Sequence, residues 1–229
     1  MEHVAISALL RRFEPLGSFP DIPFDEMVTA GRLARWKKGH TVLEQGLPRI
    51  GAIFVLSGVL SNTGWRKTDE IDFVFPIYPR DSFQLDAWLD TPSNHTTMAV
   101  SDVEALVIPV TAYKELLVRF PQLQRALWAA STRNVDLVLS VFAQYVSNSS
   151  EERLFAFLRR YMEAFNSPDG ETWPWHISQG VLASFLGTSR PHLSTIISRM
   201  RTDGILEMTR RKMRVPPGSP VHAPSAQGG

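Results

Sequence analysis

The forty residues from His176 to Val215, HISQGVLASFLGTSRPHLSTIISRMRTDGILEMTRRKMRV, leave few folds open. Ser178 is an N-cap residue, and Val181, Leu182 and Phe185 behind it give a short helix one apolar side. Gly187 ends that helix where the chain has to turn through positive φ. Ser189 caps a second helix with Pro191 in its first turn, where a missing N–H breaks no hydrogen bond. Leu193, Ile196, Ile197 and Met200 recur at i, i+3, i+4 and i+7, a single stripe to be buried. Pro191, Thr195, Ser198 and Thr202 fall on the opposite face, Arg190 leads it, and Arg199 and Arg201 flank the stripe. Ile205 to Val215 follows as a hairpin carrying Arg210, Arg211, Lys212 and Arg214.

A short helix with an apolar inner face and a polar outer face fits the major groove of DNA, and a basic hairpin beside it suits the phosphates. The residues expected at DNA are Ser178, Ser189, Arg190, Pro191, His192, Thr195, Ser198 and Arg199 on the helices, with Arg210, Arg211 and Lys212 on the wing. Charge supports this. The whole chain carries a net charge of only +1, yet this stretch holds seven Lys/Arg against Asp203 and Glu207. That local excess is what a polyanionic partner calls for.

The rest of the 229 residues suits a second modest domain. Val4–Phe13 and Phe24–Ala30 read as short helices. From Leu33 the pattern changes to runs of four to eight apolar and β-branched residues: Leu33–Trp36, Thr41–Leu43, Ile53–Leu60, Ile71–Tyr78, Thr96–Val100 and Ala105–Val110. Turn residues such as Lys38-Gly39, Gln45-Gly46 and Ser57-Gly58 punctuate them, as in a small antiparallel barrel or jelly roll. Helical periodicity returns at Thr111, and a long helix runs from Pro121 to about Val146 with two apolar seams. One is Leu123, Leu127, Ala130, Asn134, Leu137 and Val141; the other is Trp128, Val135, Val138, Phe142 and Tyr145. A helix apolar on two sides buries both, one on the roll and one on a second copy. The first seam, with Asn134 fixing register, is taken as the dimer seam. Ser147 to Ser150 then breaks the pattern, and Ser149 with Glu152 makes a capping box for a helix to about Phe165. Asn166–Trp175 is a loop or small hairpin.

The expected fold is α+β: a β-roll with N-terminal helices over 1–110, a dimerisation helix region over 111–147, a winged helix-turn-helix over 148–216, and a disordered tail over 217–229. With no cysteine in the chain, disulfides, thiolate-held iron–sulfur clusters and Cys-type zinc sites are excluded. The N-terminal MEHVAISALLRRFEPL has no long apolar run, so neither a signal peptide nor a membrane span is expected, and the cytoplasm is the expected location.

This order, with the residues at its joints, resembles the bacterial cyclic-AMP receptor protein / fumarate-nitrate-reduction (CRP/FNR) regulator family over about Phe24–Val215. The roll opens with WKKGHTVLEQGLPRIGAIFVLSGVL, with Gly39, Gly46 and Gly58 at its turns, and LGTSRPHLSTIISRMRTDGIL resembles the family's helix-turn-helix, including Gly187, Ser189, Arg190 and Ile196. The resemblance implies a cyclic-nucleotide-binding-like roll and a homodimer on a two-fold symmetric DNA site, acting through RNA polymerase. By position, Arg190 begins the recognition helix, and the next family contacts fall on Pro191, Thr195 and Ser198. In the cyclic-AMP receptor protein these are acidic, basic and basic; here none is charged, so a different operator is implied.

The resemblance departs at the effector site. Family members that bind cyclic nucleotides hold the phosphate with Gly-Glu and Arg-Ser pairs, where this chain has Phe83-Gln84-Leu85-Asp86 and Ser93-Asn94-His95-Thr96-Thr97. Between Asp81 and Val110 there is no Lys or Arg. A buried phosphate diester without a fixed cation is hard to stabilise, so cyclic AMP is not expected. Several alternatives stay open. An apolar effector would be lined by Phe83, Leu85, Trp88, His95, Thr96, Val138, Leu139 and Phe142; alternatively, those side chains fill the space and no effector is needed. Haem would use His40 or His95. A cupin-like enzyme would draw on His40, His95 and Glu44, but lone histidines do not set up two or three converging ligands. No catalytic motif or metal site is expected, so the chain is read as a non-enzyme. The remaining alternative is a dimeric protein-interaction module.

Overall fold

The computed structural model describes residues 2–63, 74–167, 170–209 and 211–222. Residues 71–73 of one expected strand, Arg210 of the expected wing and the 223–229 part of the tail lie outside the described residues. The described residues divide into two compact units, 2–63 with 75–140 in the first and those of 141–222 in the second. The division falls inside the long helix rather than at residues 110 and 147, because that helix begins in the core of the first unit.

The first unit opens with α1 (Glu2–Leu10) and α2 (Phe24–Ala30), followed by β1 (Arg32–Trp36), β2 (Thr41–Leu43), β3 (Gly51–Ser57), β4 (Leu60–Thr63), β5 (Val74–Ile77), β6 (Ser82–Phe83), β7 (Thr96–Ala99) and β8 (Val103–Pro109). They form two four-stranded sheets, β1-β8-β3-β6 and β2-β7-β4-β5, the jelly-roll arrangement. The expected run Ile53–Leu60 is two strands, because the chain reverses at Gly58. There φ is +83°, and a Cβ would stand 2.2 Å from the Asp102 carbonyl oxygen.

The two middle strands of the first sheet, β3 and β8, are buried on both faces, which is why they are apolar almost without interruption. Side chains alternate across a strand. Ile53, Val55, Ala105 and Val107 therefore enter the roll interior with Val42, Leu60, Ile77 and Phe83. Ala52, Phe54, Leu106 and Ile108 face the helical side, where Leu10, Phe13, Met27, Tyr113 and Leu116 cover them. α3 (Val110–Arg119) and α4 (Pro121–Ser147) complete this side.

α4 corrects the expected dimer seam. Leu123, Leu127 and Ala130, with Ala126, are buried in the chain's own helical-side core. Asn134 follows them, its side-chain amide donating to the Ser82 carbonyl at 2.8 Å instead of setting register with a second copy. Leu137 and Val141, last in that seam, are half-buried. The seam faces inward because the sheet offers it an apolar surface within the same chain.

The second unit holds the end of α4, α5 (Ser150–Phe165), β9 (Thr172–Pro174), α6 (Gln179–Phe185), α7 (Arg190–Thr202), β10 (Glu207–Met208) and β11 (Lys212–Arg214). The capping box forms as expected: Glu152 N–H donates to Ser149 Oγ at 3.3 Å and Ser149 N–H to Glu152 Oε2 at 2.7 Å. The Ser149 N–H, and then the Ser149 hydroxyl that donates to the same Oε2 at 2.8 Å, hold the Glu152 carboxyl below the usual carboxylate range. Phe157 of α5 stacks on Phe185 of α6 at 5.7 Å, and Tyr161 meets Trp175 at 4.9 Å, so one aromatic cluster joins the helices. The wing is a three-stranded sheet, β10-β11-β9, with Met213 opposite Trp173. The stretch expected as a loop or small hairpin thus supplies its third strand.

The tail is also corrected over 217–222. Ser219 and Val221 are buried. Ser219 Oγ donates to the Ile205 carbonyl at 3.0 Å, and Arg159 of α5 donates to the Val221 carbonyl at 3.2 Å. Composition suggested disorder, but one valine and two hydrogen bonds seat the segment. Among the described residues no helix is long and apolar enough to cross a membrane.

Candidate nucleic-acid interface

The helix pair is built on local caps. Ser178 Oγ accepts from Val181 N–H and Ser189 Oγ from His192 N–H, each at 3.3 Å. Both expected DNA residues therefore serve the helix ends as well as lying exposed. Gly187 at the turn has φ +56°, and a Cβ there would stand 2.2 Å from Tyr145 Cε1. Tyr145, counted in the second seam by its spacing, is half-buried against this turn, and its hydroxyl donates to the Phe185 carbonyl. Burial pushes its phenol up to about 12. Arg153 lies 5.3 Å from the Tyr145 ring and donates to the carbonyls of Tyr145 and Asn148, closing the end of α4. The sequence offered no sign of this joint beyond Gly187 itself.

On α7 the two faces separate as expected. Leu193, Ile196, Ile197 and Met200 are buried. Pro191, His192, Thr195, Ser198 and Thr202 are exposed, with Arg190 and Arg201 beside them. Thr195 Oγ1 donates to the Pro191 carbonyl at 3.2 Å, and Thr202 Oγ1 to that of Ser198 at 3.1 Å. Their protons are thus turned to the backbone, and the oxygen lone pairs remain to accept from a base edge or a water.

The cations fall into two groups. Arg211 and Lys212 are exposed on the wing, and no acid is paired with them, with Arg190 or with Arg201 among the described residues. Arg214 pairs with Glu207 at 2.5 Å across the wing and donates to the Gly170 carbonyl at 2.7 Å. Arg199, expected at DNA, is instead paired with Glu151 at the start of α5. Between α7 and the wing lies an open cleft of about 480 Å³, lined by Ser198, Arg201 and Thr202 on one side and by Leu206, Glu207, Met208 and Thr209 on the other. Arg201, left out of the expected contacts, is its cation.

The residues expected to line an effector pocket do not converge on one chamber. Phe83 belongs to the roll interior and Leu85 to the helical-side core. Gln84 between them has φ +56°, and this turns the chain so that the two side chains part. Trp88, Val138, Leu139 and Phe142 are exposed, and Thr96 uses its Oγ1 to accept from Gln45 N–H at 3.2 Å. A polar group that the sequence did not single out lies nearby. Arg49, from the β2–β3 connection, has a side chain only 6% exposed, paired with Asp86 at 2.7 Å. His95 is held below its ordinary value by desolvation and then by Arg49. His95 Nε2 and both amide atoms of Gln84 are buried without a hydrogen-bond partner. His40, the other histidine weighed, is exposed, and among the described residues no three His, Asp or Glu side chains form a metal-holding group.

Along α4 a second apolar face stays uncovered. Trp128 and Val135 are 76% and 57% exposed, Leu139 and Phe142 each 59%, and Val146 75%. With Thr132 they follow spacings of four and three along one helix, the heptad seam of a coiled coil.

A family model described as a Crp-like helix-turn-helix domain matches residues 152–216. The transcriptional activator protein FnrA of Stutzerimonas stutzeri is 23% identical over 193 residues, covering 83% of this chain and 78% of the relative. Among solved structures, FixK2 from Bradyrhizobium japonicum superposes with a TM-score of 0.74 at 16% identity, over 84% of this chain and 96% of that one. A transcriptional regulator of the CRP/FNR family from Thermus thermophilus superposes with a TM-score of 0.64 at 17% identity, over 80% and 93%.

Proposed function

We infer that this chain, which belongs to the CRP/FNR family of transcription regulators, grips a two-fold symmetric duplex as a homodimer and reads it with α7. The observation that carries this is the division of α7. Its apolar stripe is buried, and the outer face presents Pro191, Thr195 and Ser198, with Arg190 at the leading end. Thr195 and Ser198 offer hydroxyls to base edges, and Pro191 offers only apolar contact, suited to a thymine methyl. Arg190 meets a base edge or a phosphate at the leading end, and Arg201, Arg211 and Lys212 meet phosphates. Two copies join along the uncovered α4 face. The regulator works in the cytoplasm and passes its signal to RNA polymerase.

The test is selection from a randomised duplex pool. The enriched site should be two-fold symmetric, and Arg190→Ala should weaken it by about 1–3 kcal/mol. An asymmetric site, or binding indifferent to that substitution, refutes the assignment.

Cyclic AMP is not the signal. Arg49 is the one buried cation near the corresponding stretches among the described residues, and Asp86 already neutralises it. Apolar side chains fill the roll interior, which supports action without an effector. A second reading has a specific observation behind it. The unpartnered Gln84 amide and His95 Nε2 suit an uncharged ligand with hydrogen-bonding groups. Mass spectrometry and absorbance of the protein as purified separate the two, and calorimetry that detected micromolar cyclic AMP binding would overturn both.

A further inference from the structure

Glu151 and Arg199 are far apart in the chain and join α5 to α7 within the second unit. The position of Arg199 gives the pair its meaning. At 3.6 residues per turn, Pro191, Thr195, Ser198 and Thr202 centre the outer face, and Arg199 lies roughly 70° round from that centre. Arg201 lies at a comparable angle on the other side, where it lines the cleft toward the wing. The two arginines therefore flank the reading face symmetrically. One has no acidic partner among the described residues, and the other is held by a carboxylate.

Neither partner is deeply buried. The Arg199 side chain is 58% exposed and that of Glu151 30%. An ion pair this open contributes little to the fold, so its consequence lies in what the guanidinium is free to meet. Glu151 also stands in the first turn of α5, beside Glu152, whose carboxylate is occupied by the Ser149 capping box. Of these two acids, Glu151 is the one turned to α7.

We propose that Glu151 sets the specificity of DNA binding by withholding Arg199 from phosphate. A cation on the flank of a reading helix adds affinity for any duplex, whatever its sequence. Occupying it with a carboxylate lowers that indiscriminate part and leaves the base contacts of Thr195 and Ser198 untouched. The inference rests on the DNA-binding role proposed above.

The test uses the full chain and a 30-base-pair duplex of arbitrary sequence, with affinity measured by fluorescence anisotropy across a salt series. Each phosphate neutralised adds about 0.9 to the salt slope, which at 0.1 M salt is about eightfold in affinity. Glu151→Gln should bind this duplex about eightfold more tightly, with the slope steeper by about 0.9. Glu151→Gln combined with Arg199→Gln should return both quantities to those of the unaltered protein. An unchanged slope in Glu151→Gln overturns the proposal, and so does a gain that persists in the double variant, since the acid would then act by direct repulsion. Circular dichroism of each variant checks that the second unit is folded. If the unaltered chain bound no duplex at all, the DNA-binding role itself would fail, a distinct result.

Discussion

Leu139→Ala, set against Leu127→Ala, decides which face of α4 joins two copies. Leu139 is 59% exposed, and Leu127 is 4% exposed inside the chain's own core. Burying a whole leucine contributes about 1.5–3 kcal/mol. The exposed part of Leu139 therefore has about 1–1.5 kcal/mol to give per copy, or about 2–3 kcal/mol per dimer. Losing it raises the dimer Kd by on the order of 30- to 150-fold. Leu127→Ala removes a core side chain and costs about 2–5 kcal/mol of folding stability. It should lower the midpoint of thermal unfolding and leave the Kd of the folded protein near its original value. Sedimentation equilibrium over a concentration series measures the Kd, and calorimetry the stability. If Leu127→Ala produced folded monomers while Leu139→Ala kept the original Kd, the inward assignment of Leu123, Leu127 and Ala130 would be wrong.

Two further outcomes test the joint at the end of α4. Gly187→Ala puts a Cβ 2.2 Å from the Tyr145 ring at a backbone φ of +56°. It should destabilise the second unit by about 1–3 kcal/mol, and Tyr145→Ala in the same chain should recover part of that in thermal melts; no recovery would mean that the ring is not the obstacle. Because burial raises the Tyr145 phenol to about 12 from its ordinary 10, the folded state holds its proton longer than the unfolded state does. The contribution is whole below pH 10 and is lost as pH rises from 10 toward 12. Stability of Tyr145→Phe should fall less over that interval in denaturant titrations at stepped pH, the difference between the two proteins isolating Tyr145 from the other buried tyrosines, and identical slopes would refute it.

Much of the second unit was legible because its signals are local. Ser149 reaches Glu152, Ser178 reaches Val181 and Ser189 reaches His192, each three residues on. A helix that repeats every 3.6 residues shows its buried side in the order of its own residues, so Leu193, Ile196, Ile197 and Met200 could be assigned without coordinates. The glycine turns at Gly39, Gly46 and Gly58 announced the roll in the same way, and all three have positive φ.

What tertiary structure alone decided concerns partners distant in the chain. Periodicity indicated that α4 is apolar on two sides, but an apolar face carries no label for what covers it, and only the packing of the roll turned Leu123, Leu127 and Ala130 inward and left Trp128, Val135 and Leu139 outside. Arg199 looked like any other basic residue until α5 brought Glu151 beside it. Arg49 lay outside the stretch where a cation was sought and reaches Asp86 from another connection. Met213 opposite Trp173 gave the wing a third strand across a long stretch of chain. The pattern of residues along this chain determines which surfaces must be hidden and where helices and turns begin. The choice of neighbour is settled by competition among surfaces that meet only once the chain has closed on itself, because hydrophobic and charge interactions depend on distance in space and not on separation along the backbone.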